Sequence, residues 1–287
     1  MEYNNADKRI VIKDIHDPSD AKRLQYIQEV TWGTGDVVPF HVFIATATVG
    51  GVVKGAYVDG ELVGYVYGFY GRFMGRICHY SHQLAVLPEY QNLNIGYMLK
   101  MAQRQHCLDE GLDLVVWTYD PLQSKNAYLN INKLGTVART YFINHYGEMN
   151  DELNRGLASD RFMVEWWIDS KWVWNGESSR IKFFEDYSLA DKVDIALEAV
   201  KEGDVLKPVE KKAGKAIVGI EIPSDINTIK RVDMRIARKW RVKTRILFRE
   251  YFSKGYTVFR YLRFKQDDSK GIYLLRRGFD PNDYGEI

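Results

Sequence analysis

Cysteine is scarce in this chain: only Cys78 and Cys107 occur in 287 residues. Two thiols at that spacing make neither a disulfide framework nor a zinc-binding pattern. No run approaches the ~18 consecutive apolar residues of a membrane-spanning helix. The opening from Met1 to Lys13 is polar and mixed in charge, without the basic start and apolar stretch of a secretory signal. A cytoplasmic protein with no membrane partner is the expectation. Charge of one sign is lacking too. The net charge of +2 gives no overall drive toward nucleic acid or membrane, and low-complexity segments and short repeats are absent. What remains is the balance of a globular protein, 46% hydrophobic and 27% charged, long enough for one large or two modest domains. Aromatics reach 14%, with 19 Tyr and 7 Trp, which suits aromatic cores or large semi-polar pockets.

Periodicity divides the chain into elements. Arg9–Ile15 alternates as a strand. Pro18, Ser19 and Asp20 offer a helix start for a segment ending near Trp32, and a second short helix is predicted over Pro39–Thr48. Val52–Val58 and Leu62–Tyr70 flank Asp59-Gly60-Glu61, a hairpin signal. Ile77–Val86 reads as a strand, Gly96–Glu110 as a helix, Leu112–Tyr119 as a strand, and Ser124–Leu134 as a helix ended by Gly135. Arg139–His145 and Phe162–Ile168 follow as strands. The order predicts a mixed α/β domain over residues 1–170. Beyond Ser170 the texture changes, and residues 171–287 read as a smaller α+β extension. There we predict a helix over Leu189–Lys201, a polar stretch over Glu202–Gly214, and a strand over Ala216–Ile222. A cap at Pro223-Ser224-Asp225 then opens one long helix to Lys254, and Tyr256–Phe264 and Ile272–Leu275 close the chain as strands.

The segment from Gln83 to Leu99 carries the chemistry. A strand ends near Val86, and Pro88 cannot continue a ladder. A polar turn follows, and an amphipathic helix begins at once. The first amides of that helix have no intrahelical acceptor and sit at its positive end, which suits a pyrophosphate. Gly96, lacking Cβ, permits close approach to the backbone. These residues resemble the acetyl-coenzyme A motif of the GNAT (Gcn5-related N-acetyltransferase) superfamily, a Q/R-x-x-G-x-G/A turn after a Val-x-Pro strand end. Gln91 and Gly96 match, while Asn94 replaces the first glycine. Asparagine is the non-glycine residue best able to enter the left-handed region, so the turn survives. Ser124 to Gly135 resembles the second signature of the family, matching at Ala127 and Gly135, with Ser124 in place of Asn and Ile131 in place of the Tyr that often serves as acid. Ser81-His82-x-Leu84-Ala85-Val86, Trp117-Thr118-Tyr119-Asp120-Pro121-Leu122, Tyr146-Gly147, Ser159-Asp160-Arg161-Phe162, Ile222-Pro223-x-Asp225 and Gly255-Tyr256 are similar to an uncharacterised branch of predicted GNAT acetyltransferases.

The resemblance implies a GNAT-like fold and an acyl-coenzyme A cosubstrate, acetyl-CoA first of all. It implies cofactor contacts at Leu84, Val86, Gln91, Asn92, Leu93, Asn94, Ile95, Gly96 and Tyr97, with Ser124 and Asn126 as further candidates. In such enzymes an amine attacks the thioester directly, and a base with a pKa near operating pH removes its proton. His82 holds the position of a catalytic histidine in the arylalkylamine N-acetyltransferase branch, and alternation puts residues 80, 82, 84 and 86 on one strand face. A buried, backbone-bonded histidine is the alternative. Tyr128 or Tyr119, or water, would reprotonate the thiolate. His79 and His82 are three apart on a strand and face opposite ways, so no metal site is expected. Asp160 and Arg161 suit a polar substrate or an intramolecular ion pair. The basic helix Lys230–Lys254 reads as a solvated face rather than a nucleic-acid reader. The expected acceptor is a small amine or amino-acid-like molecule. The alternatives are a non-catalytic coenzyme A sensor and an acyltransferase acting on protein or RNA. A homodimer is compatible with the sequence.

Overall fold

The computed structural model describes residues 1–5, 8–33, 35, 37–148, 155–174, 193–264 and 267–283. They fall into two compact units, Met1–Trp117 and Thr118–Ile287.

In the first unit the strands are β1 (Glu2–Asn5), β2 (Lys8–Asp14), β3 (Val52–Val58), β4 (Glu61–Phe73), β5 (Arg76–Val86) and β6 (Leu114–Tyr119), which enters the second unit at its end. They pair in that order, antiparallel up to β5 and parallel between β5 and β6. Asp59 and Gly60 both take positive φ, 50° and 91°, the geometry that a two-residue hairpin with the right twist requires. The expected hairpin is present. A second one, not anticipated, turns at Met74 and Gly75, where φ is 49° and 79°.

Helix α1 (Pro18–Trp32) starts at Pro18, within the expected start, and Asp17 caps it: its carboxylate accepts from the Ser19 amide, and Pro18 occupies the first turn. Helix α2 (Phe40–Thr48) follows. Both lie on one sheet face, where Phe43 packs edge-on against Tyr65 and Tyr67 and Gln28 meets Gln83. Helix α3 (Ile95–Asp109) covers the other face, burying Ile95, Met98, Leu99 and Ala102.

The second unit holds α4 (Ser124–Ala127), which widens into a π-helical turn over Tyr128–Lys133. The predicted continuous helix over Ser124–Leu134 is thus an α turn followed by a π turn. Strands β7 (Val137–Phe142), β8 (Arg161–Trp167), β9 (Val193–Glu202), β10 (Val205–Glu210), β11 (Ile217–Pro223), β12 (Tyr256–Arg263) and β13 (Lys270–Arg277) form its sheet, with a short α5 (Lys171–Trp174). Their order is β8-β7-β12-β13-β11-β9-β10.

Two expectations fail here. Residues 193–201, predicted helical, are strand β9; residues 189–192 of that prediction lie outside the described residues. The Ala, Leu and Glu of this segment favour helix locally, but ladders on both sides, parallel to β11 and antiparallel to β10, satisfy its backbone instead. The polar stretch after it contains the edge strand β10. The single long helix is two, α6 (Ile226–Val232) and α7 (Met234–Ser253). Asp225 caps α6 as expected. Asp233, in extended conformation at φ −151°, interrupts the run and caps α7 by accepting from the Arg235 amide.

Candidate active site

The strand leading into the phosphate-type turn is not regular. In β5, Ser81 pairs with Gly68 and Gln83 with Tyr67, so His82 is an inserted residue, a β-bulge. Alternation shifts by one residue there. Ser81 reaches Lys100 of α3 on one sheet face, whereas Gln83 reaches Gln28 of α1 on the other. His82 lies among the rings of Tyr67, Phe69 and Tyr80, with centroids 5.7, 5.8 and 6.2 Å away. Leu84 turns instead toward Gly96. The common face expected for residues 80, 82, 84 and 86 is therefore broken, and His82 and Leu84 point to opposite sides.

His82 remains exposed to solvent. Its aromatic surroundings desolvate the imidazolium and lower its pKa below 6.5, and no charged neighbour contributes. His79, on the same strand, behaves as a core residue. It is fully buried, its Nε2 lies 3.0 Å from Gln103 Nε2, and burial with the nearby Lys100 pushes its pKa down to about 3.

Pro88–Leu93 forms a 3₁₀ turn in place of an open loop. Gln91 spans it, its side-chain amide donating to the Val86 carbonyl at 3.2 Å. Asn94 takes φ 60° and ψ 18°, the left-handed conformation expected for it, and α3 starts at the next residue. No side-chain hydrogen bond caps this helix and its first turn holds no acidic residue, so the positive end of the dipole is not offset from within that turn. The first intrahelical bonds run from Tyr97 and Met98 to the Asn94 carbonyl, downstream of Ile95 and Gly96. Leu93 and Ile95 turn inward, whereas Asn92 and Asn94 are exposed.

A Cβ built on Gly96 would meet only Leu84 Cδ2, at an ordinary 3.7 Å. The protein's own packing therefore does not demand glycine at this position; a group bound in front of the helix would. Parallel pairing of β5 with β6 stops at Tyr80–Val116, so within this unit the edge of β5 through Leu84 and Val86 has no further strand partner. An edge amide row ending at an uncapped helix fits an extended chain with a pyrophosphate at its end. Gly96→Val is expected to raise the acetyl-CoA Kd at least about tenfold while Tm changes little, because the added Cβ meets Leu84 Cδ2 at ordinary contact distance. Calorimetric titration and a melting curve of the same sample check both halves.

The second unit holds the remaining candidates. Ser124 is buried and accepts from Tyr261 Oη at 2.8 Å. Asn126 is exposed. Tyr128 is half-buried, its ring 5.0 Å from the Arg263 guanidinium. Tyr119 is buried against Tyr273, 3.2 Å between hydroxyls, and burial raises its pKa. Asp160 does pair intramolecularly, but with Arg245, through contacts of 2.7 and 2.9 Å; Arg161 donates to the Asp160 main-chain carbonyl. Arg241 likewise turns inward, to Asp120. Two of the arginines of α7 are thus engaged inside the unit, while Arg235, Arg238, Lys239 and Arg249 stay on the exposed basic face expected from the sequence. Lys100 carries no signal in the sequence, and Ser81 and Trp117 enter there only as members of the resemblance motifs; a lysine among apolar residues on a helix gives no sign of full burial. Among the described residues no cluster of His, Cys, Asp and Glu has the arrangement of a metal site.

Residues 20–129 match the model of the acetyltransferase (GNAT) family. No curated protein matches the chain. Among solved structures, it is similar to Arabidopsis thaliana Naa50 in complex with the bisubstrate analogue CoA-Ac-MVNAL, at 16% identity over 54% of this chain and 97% of that one, TM-score 0.42. The Escherichia coli ribosomal-protein-S18-alanine N-acetyltransferase matches at 13% identity over 55% and 94%, TM-score 0.45. Salmonella typhimurium yncA with acetyl-CoA matches at 17% identity over 56% and 95%, TM-score 0.45.

Proposed function

We propose that this protein, whose residues 20–129 match the model of the acetyltransferase (GNAT) family, transfers an acetyl group from acetyl-CoA to the nitrogen of a small or amino-acid-like amine, with His82 as the general base. The observation that carries the reading is the uncapped start of α3 beside the unpartnered edge of β5, with an open front at Gly96. Residues 1–170 constitute the catalytic domain in this reading, and residues 171–287 its extension.

The cosubstrate supplies an activated thioester carbonyl. Backbone amides at Ile95 and Gly96 would hold its pyrophosphate, and the β5 edge at Leu84 and Val86 would hold its pantetheine arm. The neutral imidazole of His82 accepts the proton of the incoming ammonium, its lowered pKa keeping it in the basic form at neutral pH; the freed amine forms the C–N bond as the thioester C–S bond breaks, and the departing coenzyme A thiolate takes a proton from water. Phe69 stacks on Tyr80 and is 39% exposed, so the acceptor meets a ring wall beside the base.

Saturating acetyl-CoA is expected to stabilise the fold by mass action, about 2.7 kcal/mol at a hundredfold excess over Kd. Thermal shift reads this directly, and a thiol-release assay over an amine panel reads turnover. No shift with an intact fold would sink the proposal, and binding without thiol release would turn it into a non-catalytic sensor.

A further inference from the structure

Strands β5 and β6 make a fork whose last parallel pair is Tyr80–Val116. The next residue on each strand, Ser81 and Trp117, touches one and the same side chain. The Lys100 ammonium donates to Ser81 Oγ at 2.6 Å and lies 3.5 Å from the centroid of the Trp117 ring. A third contact, 3.1 Å to Gln103 Oε1, comes from the next turn of α3, and Gln103 in turn meets His79. Lys100 is only 2% exposed, and among the described residues no carboxylate pairs with it.

A buried ammonium without a counter-ion destabilises a fold relative to an apolar residue of the same size. Burial accordingly drives its pKa well below 10.5. Packing alone does not account for a lysine here, since methionine would fill the space at no such cost. Its placement at the crotch of the fork does account for it. Two acceptors and a ring face hold the ammonium where the two strands would otherwise continue to pair, one residue from the bulge that carries His82.

We propose that Lys100 is the wedge of this fork, a positioning residue whose ammonium, clamped between Ser81 and Trp117, stops β5 and β6 from zipping together and keeps the β5 edge open for an acyl-CoA arm. The inference rests on the acyl-CoA reading of that edge.

The test compares the full chain with Lys100→Met, which keeps the bulk and removes the charge. Melting temperature, amide hydrogen exchange at Ser81, His82 and Gln83, and calorimetric binding of acetyl-CoA are measured on each. A wedge predicts an unchanged or raised Tm, slower exchange at those amides, and a Kd at least about tenfold higher. Ser81→Ala should move exchange and Kd in the same direction, and the double variant should be no worse than the stronger single one. A lysine with a merely structural role would lower Tm and leave Kd alone; that result, or unchanged exchange and affinity, overturns the proposal. If the unmodified protein fails to bind acetyl-CoA, the cosubstrate reading falls, and exchange at the fork decides alone: slowed supports the wedge, unchanged removes it. Should Lys100→Met not fold, Ser81→Ala carries both readouts.

Discussion

Replacing His82 by glutamine is expected to lower kcat for acetyl transfer by about 10²–10⁴-fold, the usual range for loss of a general base. Acetyl-CoA affinity and Tm should hardly change, because His82 is exposed and makes no hydrogen bond to another described residue. The pH profile is the sharper measurement. The imidazole pKa lies below 6.5, so the basic form persists above that value and activity falls only on the acid side of it. In His82→Gln this acid limb should vanish, leaving the titration of the amine acceptor. An unaltered acid limb in the variant would assign the base to another group. His79 is the internal contrast. Already neutral and enclosed by α3, it cannot exchange protons with a substrate on the ring-lined face, and its substitution would be felt as lost packing.

The second large effect belongs to stability. Asp120→Ala should destabilise the protein by about 3–5 kcal/mol, the range for removing one partner of a buried ion pair. Asp120 and Arg241 are 7% and 3% exposed at their side chains, joined by two hydrogen bonds of 2.8 and 2.5 Å. The carboxylate also accepts from the Leu122 amide, so it closes the turn after β6 as well as neutralising the guanidinium. Arg241 Nε has no hydrogen-bond partner among the described residues, and Asp120 is the carboxylate that directly pairs with the buried guanidinium. Removing the arginine as well, in Asp120→Ala with Arg241→Met, should recover part of the loss, since no uncompensated charge remains. Urea denaturation of the three variants gives these numbers. A loss below about 1 kcal/mol for Asp120→Ala would mean that water reaches the guanidinium.

These two predictions stand at different distances from the sequence. His82 was singled out from its own strand, together with Gln91, Asn94 and Gly96 of the turn that follows, because the signal lies within a few residues. The same is true of the Asp59-Gly60 hairpin and of Asp225 as a cap. The Arg241 pairing spans 121 positions, and no local pattern announces it. Sequence reasoning saw a basic helix where folding delivers two arginines to Asp120 and Asp160.

The chain by itself determined what depends on allowed dihedrals, missing Cβ atoms and the period of apolar residues. It set the left-handed residue ahead of α3, the open front at Gly96, the turn chemistry and the mixed α/β order. Tertiary structure decided what depends on neighbours. Ladders on both sides made β9 a strand against its helical composition. The bulge at His82 reversed the side to which Leu84 points, because one inserted residue shifts a two-residue period. Burial turned Lys100 from one more helix lysine into a buried group held by Ser81, Gln103 and the Trp117 ring at the β5–β6 fork, because the packed sheet excludes the water that would otherwise solvate it.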